Sequence, residues 1–549
     1  MRLVVLGGSG SSTPELFDAL ADWPGGIEHR PPLEVVLVGR TLEKLYVVVG
    51  ACRARIGPGP QLTVSGEADR RRALERADVV LNQVRIGGYA ARAFDESFPW
   101  QAGIPGEETM GPGGFANAVR TVPALRPTWR DIAEVAPGAL VINLTNPAGI
   151  VQAAALAEHP ELNVVSVCDS PMPILDRIVE RLGRDPGRVW ARYLGMNHLG
   201  WYVPEPSDGA GQLDALADLA MGNDPLDVRL QQAIAAPYVR YYLHPDRILA
   251  VQQGKPTRAQ SLQELEASLL AGYRADPGAE LPRRGAVVWY RMAVLRYLDA
   301  WIHGTAEAPV MAGILNGGRI ADLPPDVVVE LPHVAHGPAD LRPLEPAALP
   351  PLPAAMLRAH AAYESLAARA LAPGADAETK IRALAANPMV RDTDRAAALW
   401  HAIEAGPMGW GRGRLARPHS TRRRPSLHSD DVDPTCRRKR VSASGPGDGR
   451  ARIAIENVNH PGSMSDVDAA MYLAMRRALL GALPDGAPGM TESEMRKAVR
   501  PLLPADLFPG GAKAGWWSKA VQLDLEAKRF IARESSRPLR WHRNPDRRA

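Results

Sequence analysis

The sequence predicts an α/β protein that begins with a Rossmann-like, doubly wound parallel sheet. Short aliphatic runs recur through the first 170 residues, and several of them are followed by a stretch with helical periodicity. The first run, residues 2–6, leads directly into a glycine-rich turn and then into a helix. Polar or reactive side chains follow several later runs, at the edge where open α/β sheets bind their ligands.

The bulk composition is that of a globular protein with more than one domain. The chain has 549 residues, 46% of them hydrophobic and 23% charged, and its formal net charge is only +4. This weak charge argues against a nucleic-acid partner for residues 1–405. No apolar run reaches the roughly 18 residues that cross a bilayer. Three cysteines do not suggest a disulfide framework. We therefore expect a cytoplasmic protein with no membrane partner.

The turn after the first strand has the composition of a pyrophosphate site. Gly7, Gly8 and Gly10 are followed by Ser11 and Ser12. Backbone N–H groups at such a turn point toward phosphates, and glycine places no Cβ in the way. The spacing is not G-x-G-x-x-G, so the turn alone is a weak indication of a dinucleotide.

The second predicted strand, residues 33–38, ends without the acidic residue that usually meets the ribose of NAD. Gly39 and Arg40 stand there instead. Arg40 is either a solvated surface residue or a contact for a 2′-phosphate or an adenine, which leaves NAD and NADP both open. The third predicted strand, residues 78–81, is followed by Asn82, which we include among the cofactor-binding residues.

A segment dense in glycine, residues 103–115, is expected to be a loop whose backbone approaches a ligand. The fourth predicted strand, residues 139–143, leads to Asn146, whose amide is placed at the carboxyl edge of the sheet.

A thiol and an imidazole follow two further strand-like runs. Cys168 comes directly after residues 162–167, and His198 lies between two strand-like pairs. Such a pair suits a borderline or soft divalent ion and leaves coordination positions open. Taken alone, the two residues are better explained as a small core hydrophobe and a satisfied core histidine, and only the rest of the chain favours the metal site.

Beyond residue 198 the pattern changes to long helices. Residues 314–318 and 327–331 read as sheet edges, and helices continue from 354 to about 405. Residues 406–449 are rich in Arg, Ser, Pro and His and poor in aliphatic residues, which predicts a basic disordered linker.

The last hundred residues regain helical periodicity. Three helices are expected at 465–483, 491–502 and 515–528, and a hairpin about Ser535 and Ser536. Three helices and a hairpin are winged-helix-like, a form that binds DNA or other proteins. The predicted domains are a Rossmann-like cofactor domain at 1–195, a mainly helical α+β substrate and metal domain at 196–405, the linker at 406–449 and the small domain at 450–549.

With these segments in place, residues 1 to about 405 resemble glycoside hydrolase family 4, the NAD- and manganese-dependent phosphoglycosidases. The resemblance rests on motifs that occur in one order along the chain: Thr13-Pro14-Glu15-Leu16, Gln83-Val84-Arg85-Ile86-Gly87-Gly88, Arg92 with Asp95-Glu96, Gly106-Glu107-Glu108-Thr109, Gly111-Pro112-Gly113-Gly114, Asn146-Pro147, Cys168, Asn197-His198, the tyrosine segment Pro237-Tyr238-Val239-Arg240-Tyr241-Tyr242, and Arg258. The overall character is similar to that of 6-phospho-β-glucosidases. Residues from about 450 resemble a small bacterial domain family without assigned function.

The resemblance implies a reaction that departs from the two-carboxylate scheme of most glycosidases. Carbon 3 of the sugar is oxidised by NAD⁺, the proton on carbon 2 is removed, the aglycone is eliminated, water adds, and the hydride returns. The implied cofactors are NAD and Mn²⁺ or another divalent ion. The implied substrate is a phosphorylated disaccharide, such as cellobiose 6-phosphate, or an aryl glucoside, and we expect a homo-oligomer, either a dimer or a tetramer.

The resemblance also assigns roles to single residues. Cys168 and His198 match the metal ligands, and Tyr238 matches the base for the carbon 2 proton. Glu108 matches the position that raises the basicity of this tyrosine. Four further positions match substrate contacts: Arg92, Asn146, Asn197 and Arg258. Asp169 stands where many β-specific members carry Asn, and in α-specific members an acid at this position protonates the leaving group.

Three other functions remain open at this stage. A 6-phospho-α-glucosidase or α-galactosidase of the same family is consistent with Asp169. A dehydrogenase of the lactate or malate type shares the nucleotide fold, but such enzymes need no metal. A sugar-phosphate-sensing regulator whose tail binds DNA is the third.

Overall fold

The computed structural model describes two stretches of the chain. These are residues 1–406, except 24–25, 27–29, 57–58, 206–210, 220–223, 282–283 and 307, and residues 452–544, except 459, 506, 510–513, 529, 535 and 537. The chain divides into two compact units, Met1–Thr421 and Arg422–Ala549. The predicted linker, residues 406–449, lies almost entirely outside the described residues.

The first unit opens with six parallel strands that alternate with helices. The strands are β1 Arg2–Leu6, β2 Leu33–Val38, β3 Leu62–Glu67, β4 Val79–Asn82, β5 Leu140–Asn143 and β6 Asn163–Ser166. The helices are α1 Pro14–Ala21, α2 Leu42–Arg53, α3 Arg70–Leu74, α4 Gly88–Ser97, α5 Gly111–Val135 and α6 Ala148–Glu158. The strand order β3-β2-β1-β4-β5-β6 is doubly wound. The predicted fold class is therefore confirmed.

Three elements of this half were not recognised in the sequence: helices α2 and α3 and strand β3. Helix α2 and strand β3 lie between the second and third predicted strands, so the strand at Val79–Asn82 is the fourth. Strand β3 has the mixed sequence Leu-Thr-Val-Ser-Gly-Glu, and only its first half is buried. An edge strand of this kind lacks the continuous apolar run that marks a buried parallel strand.

The sheet continues beyond β6 with antiparallel strands. These strands are β7 Tyr193–Met196, β8 Leu199–Tyr202, β9 Ile234–Ala235, β10 Val310–Leu315, β11 Val328–Gly337 and β12 Asp340–Pro343. Strands β10 and β11 lie between β6 and β7, in the order β6-β10-β11-β7-β8-β9. The prediction that residues 314–318 and 327–331 are sheet edges is therefore wrong. Strand β11 lies inside the sheet between β10 and β7, and its residues Val328 to His333 are buried.

Helices cover the remainder of the first unit. They are α7 Met172–Leu182, α8 Pro186–Trp190, α9 Gly211–Leu216, α10 Pro225–Gln231, α11 Arg240–Leu243, α12 Pro245–Gln253, α13 Arg258–Ala275, α14 Ala286–Trp289, α15 Arg296–His303, α16 Pro351–Ala370, α17 Ala377–Ala386 and α18 Thr393–Ala405. A π-helical turn, Tyr290–Leu295, joins α14 to α15. The long helices predicted after residue 198 are thus interrupted by five strands, β8 to β12, and several short turns.

Alternating side chains of the parallel strands enter two cores on opposite faces of the sheet. Val4 and Leu6 pack with Tyr363 and Trp400, which are contributed by α16 and α18. Leu3 and Val5 pack on the other face with α1, α2 and the α14–α15 region. Period-two alternation therefore serves both faces at once, as expected when helices cover a sheet on both sides.

The second unit contains three main helices and two hairpins. Its elements are β13 Arg452–Asn457, β14 His460–Asp468, α19 Ala469–Ala482, α20 Glu492–Val499, α21 Ala514–Ala527, β15 Ile531–Arg533 and β16 Trp541–Arg543. The three expected helices and the C-terminal hairpin are present. The first helix begins at Ala469 and not at 465, because residues up to Asp468 pair with β13. Across the stretches that the structure describes, no helix combines the length and apolarity needed to cross a bilayer.

Candidate active site

The carboxyl ends of the parallel strands open into a cavity of about 1460 Å³. The ends of strands β1 and β2 form one part of its wall. Cys168, which follows β6, and the turn between β7 and β8 form another part. All of the predicted site residues except Gly8 and Asn82 line this cavity: Gly7, Gly10, Ser11, Ser12, Arg40, Arg92, Glu108, Asn146, Cys168, Asp169, Asn197, His198, Tyr238 and Arg258.

The two exceptions lie behind the cavity wall. A Cβ added to Gly8 would stand 2.8 Å from Leu37 Cα, so this glycine permits close packing of the turn on β2. The side chain of Asn82 donates to Asn143 Oδ1 at 2.9 Å and is buried. Asn82 therefore joins the ends of β4 and β5 instead of facing a ligand.

The glycine turn itself has the geometry of a phosphate cradle. Gly7 has a φ of +81°, a region that side chains rarely adopt, and a Cβ there would lie 2.9 Å from Gln83 O. Helix α1 begins shortly afterwards with Pro14 in its first turn. Backbone N–H groups and the positive end of a helix are thus available to an anion at the end of β1.

The predicted glycine loop at 103–115 is only partly a loop. Helix α5 begins at Gly111, and its first turn packs directly against the preceding backbone. A Cβ on Gly113 would lie 2.3 Å from Glu107 O, and one on Gly114 would lie 2.1 Å from Thr109 O. The glycines therefore fix the short segment that carries Glu107 and Glu108 against the helix.

His198 reaches the cavity through a two-residue hairpin turn. Strands β7 and β8 pair in register on either side of Asn197 and His198, and His198 has a φ of +65°. Its ring stacks on Tyr238, with centroids 3.9 Å apart and planes 3° from parallel. Burial lowers the pKa of His198 to about 4, so the imidazole is neutral near pH 7.

Cys168 follows β6 at the same wall. Its Sγ accepts a hydrogen bond from Ser170 N at 3.4 Å. Burial raises the pKa of the thiol, and the charges of Asp169 and Glu330 act in the same direction. Glu330 on β11 is buried and accepts a hydrogen bond from Tyr193 OH at 3.2 Å. The site thus has a buried carboxylate near the thiol that the sequence did not indicate.

Tyr238 lies in a short 3₁₀ turn, Pro237–Val239, and not within a long helix. Burial raises the pKa of its hydroxyl, and the nearby charge of Glu107 adds to that effect. Glu107 is buried, and Oε2 accepts hydrogen bonds from Thr109 N at 2.6 Å and Met110 N at 2.9 Å. The same oxygen lies 3.9 Å from His198 Nδ1.

Glu107 and Glu108 have opposite electrostatic environments. Burial and the charge of Glu108 raise the pKa of Glu107 to about 7. Burial alone would also raise the pKa of Glu108, but the guanidinium groups of Arg85 and Arg92 outweigh it and lower that pKa to about 2. Both arginines are ion-paired with Glu108, Arg92 at 2.9 Å. Glu108 is therefore a fixed carboxylate that orients two cations at the cavity wall.

The remaining predicted residues are distributed along the same wall. Burial raises the pKa of Asp169, so its carboxyl group keeps its proton to a higher pH than an exposed aspartate does. Arg258 is the first residue of α13, and its exposed guanidinium faces the cavity. The backbone oxygen of Asn146 accepts a hydrogen bond from Asn117 Nδ2 at 3.0 Å, which ties this loop to α5.

The side chains present fit a divalent ion and a dinucleotide. Asn197 Oδ1 and His198 Nδ1 are buried polar atoms without a hydrogen-bond partner in the structure. A neutral imidazole and a thiol beside such orphaned atoms form a donor set suited to a borderline cation. The glycine turn lines the cavity at the end of β1, and its tight backbone at Gly7 leaves no room for a Cβ, which would lie 2.9 Å from Gln83 O.

Several cavity residues escaped the sequence interpretation. Glu107 directly precedes a predicted residue, so the motif pointed to it without separating the two carboxylates. Arg284 also lines the cavity, with its guanidinium 4.3 Å from the Trp289 ring centroid, and burial lowers its pKa. No sequence signal distinguished Arg284 from other surface arginines.

Comparison with known families covers most of the chain. Residues 4–184 match the Family 4 glycosyl hydrolase family, and residues 193–390 match the Family 4 glycosyl hydrolase C-terminal domain. Residues 452–541 match a family of unknown function, DUF6958.

Individual relatives agree with these matches. The chain is 30% identical over 416 residues to a probable 6-phospho-beta-glucosidase of Bacillus subtilis (strain 168), covering 71% of this chain and 92% of that protein. It is 26% identical over 362 residues to a maltose-6'-phosphate glucosidase of the same organism, covering 60% and 79%. A solved 6-phospho-beta glucosidase from Thermotoga maritima, with manganese, NAD⁺ and glucose-6-phosphate, has the same fold as the first unit. That comparison gives a TM-score of 0.65 at 24% identity and covers 74% of this chain and 98% of that one.

Proposed function

Because the chain belongs to glycosyl hydrolase family 4, we propose that it hydrolyses 6-phosphoglucosides, with β-glucosides as the preferred class. The observation that carries the proposal is the convergence of Cys168, His198 and Tyr238 with the glycine turn in one cavity. A thiol, an imidazole and a phenol beside a dinucleotide cradle suit oxidation and proton removal. This set of side chains differs from the pair of carboxylates with which most other glycosidases cleave the glycosidic bond.

NAD and Mn²⁺ are the cofactors that this reaction requires. The Thermotoga maritima relative was solved with both. In this chain, Cys168 and His198 would hold the divalent ion and the turn at Gly7 would hold the pyrophosphate. When bound, the two groups supply hydride transfer at carbon 3, acidification of the carbon 2 proton and a lower pKa for Tyr238.

The protein's own residues position the substrate and move protons. Tyr238 removes the proton from carbon 2, and its stacking on His198 holds the ring in one orientation. Glu107 lies beside this pair, with Oε2 3.9 Å from His198 Nδ1, and its charge raises the pKa of Tyr238. We assign Glu108 the task of holding Arg85 and Arg92 at the wall, in addition to the role in tyrosine basicity that the family resemblance implies.

Substrate recognition uses amides and guanidinium groups. Asn146, Asn197 and Arg92 would contact sugar hydroxyls, and Arg258 would contact the 6-phosphate. A guanidinium group suits a phosphate because it presents two parallel N–H donors. Asp169 would protonate the leaving oxygen, either directly or through a water molecule.

The test is hydrolysis of 4-nitrophenyl β- and α-glucoside 6-phosphates, with and without NAD⁺ and Mn²⁺. We expect cleavage of the β-anomer that requires both additions and leaves no net NADH. Substrate deuterated at carbon 2 should lose its label to water. Accumulation of NADH in step with product would identify an ordinary dehydrogenase and contradict the proposal.

A 6-phospho-α-glucosidase is the second candidate. Asp169 favours it, because an acid at this position is the feature of α-specific members, and relatives include a maltose-6'-phosphate glucosidase. The chemistry permits either anomer, since elimination after carbon 2 deprotonation does not depend on the face of the leaving group. Faster cleavage of the α-anomer would replace the β assignment.

We propose that the enzyme acts in the cytoplasm. We also propose that it is a homo-oligomer, either a dimer or a tetramer. A phosphorylated sugar is a substrate that membranes retain inside cells, which agrees with a cytoplasmic site of action. Sedimentation of the purified full-length chain would determine the oligomeric state.

A further inference from the structure

The end of β2 differs from that of an NAD-specific site, and this difference carries an inference that rests on the proposed dinucleotide. In a Rossmann-type site an acidic residue after this strand usually binds the ribose 2′-hydroxyl. Here the strand ends at Val38 and is followed by Gly39 and Arg40, all of which line the cavity.

The missing acid is excluded sterically at position 39. A Cβ on Gly39 would lie 2.8 Å from Ser9 Cβ and 3.0 Å from Ser9 Oγ. Ser9 belongs to the glycine turn and also lines the cavity. Its hydroxyl therefore occupies the space in which a carboxylate side chain from position 39 would have to begin.

The charges around the end of β2, at Gly39 and Arg40, favour an anion. Lys44 pairs with Glu266 at 2.9 Å, and Arg70 is ion-paired with Asp131, so these two cations are compensated. Arg40 is exposed at the cavity wall, and no carboxylate of the described residues lies within ion-pair distance of it.

The nearest acidic side chains are engaged elsewhere. Glu43 pairs with Arg274 at 3.3 Å. Glu67, at the end of β3, accepts hydrogen bonds from the backbone of Ala68 and Asp69 and pairs with Arg72 at 3.4 Å. Neither lines the cavity. Glu266 does line the cavity, but it is the partner of Lys44. Each of these three carboxylates is thus already paired with a cation and is not free to accept a ribose 2′-hydroxyl.

Two hydroxyl groups, those of Ser9 and Thr41, belong to cavity-lining residues on either side of Arg40 in the chain. Thr41 precedes the first turn of α2 and lines the cavity, but its side chain makes no capping hydrogen bond. Its hydroxyl is therefore available to a ligand, as is that of Ser9. A guanidinium flanked by hydroxyl donors is a suitable set for a phosphate monoester.

We propose that Arg40, Ser9 and Thr41 bind the 2′-phosphate of NADP⁺, and that this chain binds NADP⁺ more tightly than NAD⁺. The hydride chemistry is the same for both dinucleotides, so the preference changes recognition and leaves the reaction unaltered.

The test is isothermal titration of the full-length protein with NADP⁺ and with NAD⁺, without sugar substrate. We expect the wild type to bind NADP⁺ more tightly. Arg40→Ala should weaken NADP⁺ binding ten- to a hundredfold and change NAD⁺ binding by less than about twofold, as expected for loss of a charge-assisted phosphate contact. Adenosine 2′-monophosphate should compete with NADP⁺ for the wild type and lose this ability in the variant.

Arg72→Ala is the matched control. It removes a nearby arginine that pairs with Glu67 and does not line the cavity, so both dinucleotides should bind as they do to the wild type. Tighter binding of NAD⁺ by the wild type, or equal weakening of both dinucleotides in Arg40→Ala, would overturn the proposal. Failure of both dinucleotides to bind at all would instead contradict the proposed function.

Discussion

At the scale of single residues, burial determines which groups in the cavity are charged. His198 is held neutral by burial, and Glu107 has a pKa near 7 for the same reason. Glu108 lies in the next position but remains ionised because Arg85 and Arg92 compensate its desolvation. The pKa values of these adjacent residues are thus shifted in opposite directions because their charged partners differ, which sequence patterns do not reveal.

Removal of either proposed metal ligand should abolish activity and metal binding together. Cys168→Ser and His198→Ala should each weaken Mn²⁺ binding by more than about a hundredfold, since even outer-shell losses cost ten- to a hundredfold. Binding is measured by electron paramagnetic resonance of free Mn²⁺, independently of turnover.

Cys52→Ala is the matched cysteine control, because Cys52 lies on the buried face of α2 and does not line the cavity. This variant should bind Mn²⁺ as the wild type does. Full turnover of the purified wild type in excess chelator would show that the cysteine and histidine are core residues without a ligand role.

Asp169→Asn should separate proton donation from positioning. If Asp169 protonates the leaving oxygen, the variant should slow cellobiose 6-phosphate by about 10²–10⁴-fold, the usual contribution of general acid catalysis. The 4-nitrophenyl glucoside should be slowed far less, because 4-nitrophenolate leaves without a proton. Equal slowing of both substrates would mean that Asp169 only orients its neighbour Cys168.

The pH dependence of stability can be assigned to a histidine outside the cavity. Burial lowers the pKa of His333 on β11 to about 4, below the value near 6.5 of an unfolded chain. A depressed pKa gives a stabilising contribution that is complete above pH 6.5 and is lost as the pH falls toward 4. At pH 5 the loss is on the order of 2 kcal/mol.

His333→Gln removes this dependence. The free energy of unfolding of both proteins is measured with urea at pH 5 and at pH 7.5. The difference between wild type and variant should be about 2 kcal/mol smaller at pH 5 than at pH 7.5. The buried Glu107 and Glu330, whose pKa values are raised to about 7, have the opposite pH dependence, but they are present in both proteins and cancel in the comparison. A difference that does not change with pH would contradict the assignment.

At the scale of elements, the sequence predicted those whose apolar runs are continuous and whose ends carry motifs. Strands β1, β2, β4, β5 and β6 satisfy both conditions. Strand β3 was missed because a half-exposed edge strand shows neither. Strands β10 and β11 were recognised but misplaced, because their position between β6 and β7 depends on long-range antiparallel pairing.

The same distinction applies to the candidate site. Residues beside glycine or at strand ends, such as Cys168 and Asn146, could be placed at the cavity from local pattern. Arg284 and Glu330 could not, since each reaches the site only through packing of segments distant in the chain. Tyr238 was placed by family resemblance, because a tyrosine in a Tyr-rich segment is otherwise a packing residue.

The first turn of α5 should tolerate no side chain at position 114. Gly114→Ala places a Cβ 2.1 Å from Thr109 O, so the backbone that carries Glu107 and Glu108 must move. We expect a loss of about 2–3 kcal/mol in unfolding free energy and a large loss of hydrolysis.

Gly50→Ala is the control within another helix. Its Cβ would have no neighbour closer than 3.8 Å, so the substitution should stabilise α2 by roughly 0.5–1 kcal/mol. Unfolding in urea measures both variants. Unchanged stability and activity in Gly114→Ala would show that the close approach is not maintained in solution.

At the scale of the whole molecule, the glycosidase and the tail have separate cores. The first unit buries two large clusters on the faces of its sheet. The second unit buries its own cluster, which includes Tyr472, Met475, Trp517 and Trp541. A unit with its own core is expected to fold alone. The tail matches a family of unknown function, whereas the two glycosyl hydrolase matches lie within residues 4–390.

A chain ending at residue 421 should therefore retain the activity of the full protein. All cavity-lining residues lie at or before Trp400, and α18 closes the core of the first unit at Ala405. We expect kcat/KM for 4-nitrophenyl β-glucoside 6-phosphate within about twofold of the full-length value and an unchanged requirement for NAD⁺ and Mn²⁺. The measurement is made on both purified chains after circular dichroism has established that the shorter one is folded.

A folded but inactive shorter chain would show that the tail contributes to catalysis. In that case the isolated tail would be added to the shorter chain to test whether it restores hydrolysis. Gel shifts with the isolated tail test the alternative that it binds DNA.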